Sequence, residues 1–230
     1  MPEPVGLLRL AIVGYGKMGR LIDQLAPEYG FEVVARCDVD RHEPLEGCDV
    51  AVEFSAPSAV LSNVEMLAAK RIPVVIGTTG WSGEMDRVQR AIEEHGSAAV
   101  WSPNYSVGVN VFFRLAAEAA RLLAGQPEYG AWGWEIHHIT KKDAPSGTML
   151  KLVETMQSAG FERPIEVSSS RAGAHPGTHE IGFDSAADTI TLRHAARSRE
   201  GFARGALQAA RWLPGRRGFF EFSEVLFGRD

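Results

Sequence analysis

Short apolar runs and longer amphipathic stretches alternate along the first hundred residues. LRLAIV at 8–13 ends in glycine and leads into GYGKMGRLIDQLA, a pattern that predicts strand, tight turn and helix. FEVVARC at 31–37 and DVAVEF at 49–54 repeat the strand signal. After the second of these, Ser55 is placed to cap a helix and Pro57 to occupy its first turn. RIPVVIG, a helix from about 82 to 95, and SAAVWS complete the series. Strands alternating with helices of this length predict an α/β fold with a parallel sheet covered on both faces.

Beyond Asn104 the rhythm changes. An amphipathic helix is predicted from about 109 to 123, then WGWEIHH as a strand, a helix after Ser146, and three strand-like runs, RPIEVSSS, THEIGFDS and DTITLRHAA. No helix long enough for a parallel crossover separates the last two, so this half reads as α+β with a mixed or antiparallel sheet. GFARGALQAARWL is helical again, and a short tail rich in Gly, Arg and Phe follows.

Composition narrows the partners. The 24 Lys+Arg against 29 Asp+Glu of the 230 residues leave a formal net charge of -5, which argues against a nucleic-acid polymer while permitting a locally basic pocket for a small acid. Cys37 and Cys48 lack the spacing of a disulfide framework or a cysteine zinc site. The N-terminus has no secretory pattern, and no apolar run approaches the ~20 residues of a membrane span, so the expectation is a cytoplasmic protein with no membrane partner.

Gly14, Gly16 and Gly19 form GxGxxG between the first strand and first helix, and Asp38 closes the second strand. In that setting the motif predicts a dinucleotide site. Gly14 permits the turn, Gly16 admits the pyrophosphate to the backbone, and Gly19 lets helix and strand pack closely. Asp38 suits the ribose hydroxyls, which favours NADH over NADPH, although Arg36 and Arg41 lie near enough in sequence to offset it. Gly77-Thr78-Thr79-Gly80 follows the fourth strand, at the carboxyl edge where such sheets bind ligands; it reads as a cofactor contact in preference to a simple turn.

EIHHITKKDAPSGTML at 135–150 concentrates polar groups. On a strand His137 and His138 face opposite ways and cannot both ligate one metal, so no metal is expected. At least one imidazole suits acid/base chemistry, while for one of the two a side chain simply packed under the sheet is the alternative reading. Ser146-Gly147-Thr148 opens a helix, and with Lys141 nearby it is either a carboxylate or phosphate cradle or an ordinary helix cap.

Taken together, GYGKMG, VEFSAPSAV, GTTGW, SPNYSVGVN, EIHHITKKDAPSGT, RAGAHPGTHEIGF and SREGFARGALQAARWL resemble, in order and over nearly the whole chain, the 4-hydroxy-tetrahydrodipicolinate reductase (dihydrodipicolinate reductase) family. HHxxKxDAPSGT is the most specific of these matches. The resemblance implies reduction of a dihydrodipicolinate species to tetrahydrodipicolinate in lysine and diaminopimelate synthesis. It implies His137 as proton donor/acceptor, Lys141 as proton donor, and His138, Gly147 and Thr148 as contacts to a small dicarboxylate. Gly14, Tyr15, Gly16, Lys17, Met18, Asp38, Gly77, Thr78, Thr79, Ser102, Pro103, Asn104 and Tyr105 match cofactor contacts. Arg171 and Arg199 are further candidates for the carboxylates.

The same resemblance implies a dinucleotide-binding domain over 1–103, completed by 200–230, and a substrate-binding and oligomerisation domain over 104–199 whose sheet builds a homotetramer. Hinges near 104–107 and 198–202 are expected. Two departures bear on the cofactor: the first turn is one residue shorter than the GxxGxMG form, and Val39 stands where many members have an arginine. The chain is also short between Asp38 and Asp49. Rival readings are another Rossmann oxidoreductase, such as a diaminopimelate or aspartate dehydrogenase, and an NAD(H)-sensing regulator without turnover.

Overall fold

The computed structural model describes residues 6–228 and divides them into two compact units. The first runs to Ser106 and resumes at Phe202; the second spans Val107–Gly201.

In the first unit, strands β1 (Leu8–Val13), β2 (Phe31–Asp38), β3 (Arg41–His42), β4 (Val50–Glu53), β5 (Val74–Ile76) and β6 (Ala98–Trp101) alternate with helices α1 (Lys17–Leu25), α2 (Val60–Ala69) and α3 (Met85–Glu94). The buried strands carry side chains inward on both faces. Leu10 and Ile12 of β1 pack with Ile22 and Leu25 of α1, whereas Ala11 and Val13 pack with Val64 and Leu67 of α2 and Val88 and Ile92 of α3. This two-sided burial is what a parallel sheet with helices on both faces requires, each large aliphatic side chain contributing about 1.5–3 kcal/mol.

The second unit contains α4 (Val107–Leu123), β7 (Gly130–His137), α5 (Gly147–Ser158), β8 (Ile165–Arg171), β9 (Thr178–Asp184) and β10 (Thr189–Ala195). Its sheet has the order β10-β9-β7-β8, with β7 parallel to β8 and antiparallel to β9, so it is mixed. Phe112, Ala116 and Ala120 of α4 and Met149, Leu152 and Met156 of α5 cover one face, against Ala131, Ile181 and Phe183. At the end of α4, the Arg163 guanidinium donates to the carbonyls of Leu123 and Ala124, acceptors that the last turn of a helix leaves without an intrahelical partner.

From Phe202 the chain rejoins the first unit. Helix α6 (Glu200–Trp212) packs Ala203, Ala206, Leu207 and Ala210 beside Leu10 and Ile12. The tail then forms β11 (Gly218–Glu221), parallel to β6, and α7 (Phe222–Phe227). The sequence pattern assigns no element to this Gly-, Arg- and Phe-rich tail. The first sheet has the order β11-β6-β5-β4-β1-β2-β3, and its direction of winding reverses between β1 and β4. That reversal places the turns after Val13 and Glu53 side by side at the carboxyl edge, the position where open α/β sheets bind ligands.

Candidate active site

The glycines of the first turn are placed as their chemistry requires. Gly14 has φ 92°, and a Cβ there would lie 2.2 Å from the Phe54 carbonyl oxygen. A Cβ on Gly19 would lie 2.2 Å from the Gly14 oxygen. Gly16 is the contrast: a Cβ would meet nothing within 4 Å, and no side chain caps the helix that begins there. An exposed, uncapped helix start with an open glycine fits a dinucleotide pyrophosphate, Lys17 and Met18 being its first helical residues.

The arginines near Asp38 are already engaged. Arg36 donates to Asp23 at 2.7 and 2.8 Å, and the Tyr15 hydroxyl donates to the same carboxylate. Arg41 is bound to Glu43 and lies 5.5 Å from the centre of the Tyr15 ring. Asp38 itself is exposed and accepts only a backbone N–H, from Val39, among the hydrogen bonds of the described residues. Val39 is 83% exposed and supplies no cation.

Around the same edge, a Cβ on Gly77 would collide with the Phe54 ring at 2.0 Å. The Thr78 hydroxyl accepts from Ser55 N–H at 2.8 Å, tying two neighbouring turns together, while Thr79 is exposed. Ser102 and Asn104 are hydrogen-bonded to each other, and Pro103 is exposed. Tyr105 is buried, and its hydroxyl lies within hydrogen-bond distance of the carbonyls of Val100 and Ile76, so only its backbone can face a ligand. Burial pushes its hydroxyl pKa far up. Sequence reading missed Glu53, a fully buried carboxylate at the end of β4 that accepts from Ser55 and Asn63 through Oε1.

In the second unit, alternation along β7 turns Trp132, Trp134 and Ile136 to the face away from the helices and Gly133, Glu135 and His137 inward. His137 is buried at the strand end. His138, the next residue, is only partly covered, its Nδ1 2.8 Å from the Thr140 hydroxyl, so the two imidazoles are separated as strand geometry predicts. Lys141 lies in the following loop with Nζ 2.8 Å from an Asp143 oxygen. Ser146 caps α5 by accepting from Met149 N–H, which leaves exposed Gly147 and half-buried Thr148 in the first turn.

Behind His137 is a group that no sequence spacing announced. Glu135 has no solvent exposure and accepts from Ser146 N–H (2.9 Å), Ser169 Oγ–H (2.8 Å), Arg171 Nη2 (2.9 Å) and the Ser146 hydroxyl. Burial alone would raise its pKa, but the donors Ser146, Arg171 and Ser169 outweigh burial and hold it below the ordinary value. Arg171, a candidate for substrate carboxylates, therefore serves an internal carboxylate and also donates to the Asp143 and Ser170 carbonyls. Arg199 is exposed.

His179 of β9 completes the cluster. Its Nε2 is 3.0 Å from Ser146 Oγ, and its ring meets that of His137 edge-on at 4.9 Å. Burial lowers the His179 pKa to about 4, with the neighbouring His137 pushing the same way and Glu135 opposing. Burial likewise lowers the His137 pKa; Glu135 opposes, while Lys141 and Arg171 reinforce the shift. Ligand atoms of Glu135, His137 and His179 lie within 4.8 Å of one another, a spacing a metal ion can use. Arg171 places a positive charge on the other oxygen of that carboxylate, Oε1, while both imidazoles face Oε2.

Comparison with known proteins gives one result over both units. Residues 8–105 match the family described as "Dihydrodipicolinate reductase, N-terminus" and residues 108–226 the one described as "Dihydrodipicolinate reductase, C-terminus". The 4-hydroxy-tetrahydrodipicolinate reductase of Christiangramia forsetii is 34% identical, over 95% of this chain and 98% of that protein. The enzyme of the same name from Archaeoglobus fulgidus is also 34% identical, over 95% of this chain and all of that protein, 100%. Among solved structures, dipicolinate-bound dihydrodipicolinate reductase from Paenisporosarcina sp. TG-14 superposes with a TM-score of 0.79 at 20% identity, covering 96% of this chain and 99% of that one. Aspartate dehydrogenase from Thermotoga maritima gives 0.52 at 14% identity, covering 90% of this chain and 97% of that one, which is a likeness of fold alone.

Proposed function

The chain belongs to the dihydrodipicolinate reductase family, and from that premise we propose that His137 and Lys141 deliver the proton that its reaction needs. The enzyme is an NAD(P)H-dependent 4-hydroxy-tetrahydrodipicolinate reductase of lysine and diaminopimelate biosynthesis. It reduces the dihydrodipicolinate species, formed from its hydroxylated precursor by loss of water, to tetrahydrodipicolinate. The bound cofactor supplies a hydride. Hydride addition to a conjugated imine leaves negative charge on the far atom of the substrate, and a nearby acid must neutralise it.

His137 is the residue best suited to that task, and the observation that carries the reading is its burial beside an ionised carboxylate at the end of β7. Lys141 brings a cation held to Asp143, available for exchange to a stronger anion. The substrate is a small dicarboxylate. His138, the Lys141 ammonium and the first-turn amides at Gly147 and Thr148 form its anion-binding set, orienting the reacting carbon through groups that do not react. The cofactor set is Gly14 to Met18, Asp38, Gly77 to Thr79 and Ser102 to Tyr105, Tyr105 contributing backbone only.

NADH is preferred over NADPH. Asp38 presents a carboxylate where a 2′-phosphate would lie, and the nearby guanidinium groups of Arg36 and Arg41 are committed to Asp23 and Glu43. The protein acts as a cytoplasmic homotetramer, supported by the tryptophans on the face of the second sheet that its own helices leave uncovered.

Initial rates with freshly generated 4-hydroxy-tetrahydrodipicolinate, followed as loss of NADH or NADPH absorbance, test this reading. His137→Ala and Lys141→Ala should each lower kcat by about 10²–10⁴-fold, the range for a positioned general acid. NADH should give the higher kcat/KM. Full activity in both variants would remove the assigned roles, and a higher kcat/KM with NADPH would reverse the cofactor order.

A further inference from the structure

We propose that Glu135 is a positioning residue for this reaction: its buried carboxylate holds a proton on Nδ1 of His137 and leaves Nε2 as the atom that exchanges protons with the substrate. The proposal rests on the role given to His137 above, and it begins from the hydrogen atoms available in the cluster.

The Ser146 hydroxyl has one proton and three neighbours: the Glu135 carboxylate, the Met149 N–H and Nε2 of His179. An ionised carboxylate only accepts, and a backbone N–H only donates. The hydroxyl proton therefore goes to Glu135, its lone pairs receive Met149, and the remaining neighbour must donate. His179 is consequently the Nε2–H tautomer. Its Nδ1 is buried without a hydrogen-bond partner among the described residues.

His137 is constrained in the same way. Its Nδ1 is buried, has no hydrogen-bond partner among the described residues, and lies 3.7 Å from Glu135 Oε2. A lone pair on that nitrogen would face a negative charge, whereas an N–H would face an acceptor, so the proton belongs on Nδ1. The opposite side of the ring lies against Gly177, where φ is 136° and an added Cβ would come within 3.0 Å of Nε2 and Cδ2. Only a residue without a side chain keeps Nε2 uncovered there.

The other charged groups around the ring act in both directions. Arg171 of β8 and Lys141 of the loop oppose imidazolium formation, as does burial, while Glu135 of β7 and Asp143 favour it. His179 of β9, with His194 of β10 among the groups acting on it, stays neutral beside it. Glu135 is thus the nearest negative charge that stabilises the imidazolium. When Nε2 gives its proton to the substrate, the ring returns to the neutral Nδ1–H form.

Long-range proton–nitrogen NMR on histidine-labelled enzyme, above neutral pH and without ligands, tests this directly, with His137→Gln and His179→Gln used to assign the signals. The expected patterns are Nδ1–H for His137 and Nε2–H for His179. An Nε2–H pattern for His137 overturns the proposal. In kinetics, Glu135→Gln should lower kcat by about 10–100-fold, as loss of an orienting partner does, with little change in KM for the dinucleotide. It should also move the decline of kcat on the alkaline side to lower pH, because the imidazolium loses its counter-charge. A lower kcat with an unmoved pH profile overturns the proposal, and if this variant does not fold, the wild-type tautomers decide. An unreactive wild-type enzyme would instead count against the assigned reaction and leave the tautomer result standing.

Discussion

A histidine kept neutral inside the protein makes folding depend on pH, and His179 does this most strongly of the described residues. Its pKa falls from 6.5 to about 4, chiefly through burial. Above the unfolded value both states are neutral and the shift has no effect. As pH falls below it, the unfolded chain takes up a proton that the native protein refuses, so stability declines until pH reaches the folded value. The loss amounts to roughly 3 kcal/mol at the acid end of that window. Urea unfolding of the wild type between about pH 7 and pH 4.5 should show this decline, and His179→Gln, which can still donate to Ser146, should flatten it. A variant with the wild-type slope would place the dependence elsewhere. At this scale the sequence was informative where a spacing rule applied: Gly14, Gly19 and Asp38 sit where GxGxxG and its acidic partner predict. Glu135, Arg171 and His179 follow no spacing rule, because three different strands bring them together. One signal was available, namely that Glu135 shares a strand face with His137, while Trp132, Trp134 and Ile136 take the other.

Secondary elements were legible in proportion to their length and periodicity. The alternating strands and helices of the first hundred residues and the long helices α4 and α6 carried clear patterns. Strand β11 did not: four residues of a short aromatic run show no period, and their partner β6 lies more than a hundred residues earlier. Helix α6 shows how close the returning segment packs. A Cβ on Gly205 would lie 1.7 Å from the Tyr105 carbonyl oxygen, backbone that cannot yield without moving the segment after β6 or the helix. Gly205→Ala gains about 1 kcal/mol in helix propensity. Overpacking costs typically about 1–3 kcal/mol, and contact this short belongs at or above the upper end. A net fall in Tm is therefore expected by calorimetry, and an unchanged or higher Tm would show that α6 shifts freely.

For the whole molecule, the fold class was predictable because the two halves change rhythm at a single point, whereas assembly depends on surfaces whose partners the pattern does not name. If the outward face of the second sheet builds the homotetramer, sedimentation equilibrium should give four times the 25.0 kDa chain mass, and Trp134→Glu should shift it to smaller species. A wild-type mass of one chain would remove that assembly. Strand β11 also bears on the order of synthesis. All four strands of the second sheet have left the ribosome once Ala195 emerges, but the β6 edge of the first sheet stays open until Gly218–Glu221 follows. The segment translated in the middle can thus finish folding before the one begun first, and during that interval the nascent chain exposes an unpaired strand that chaperones, or a neighbouring nascent chain, can reach.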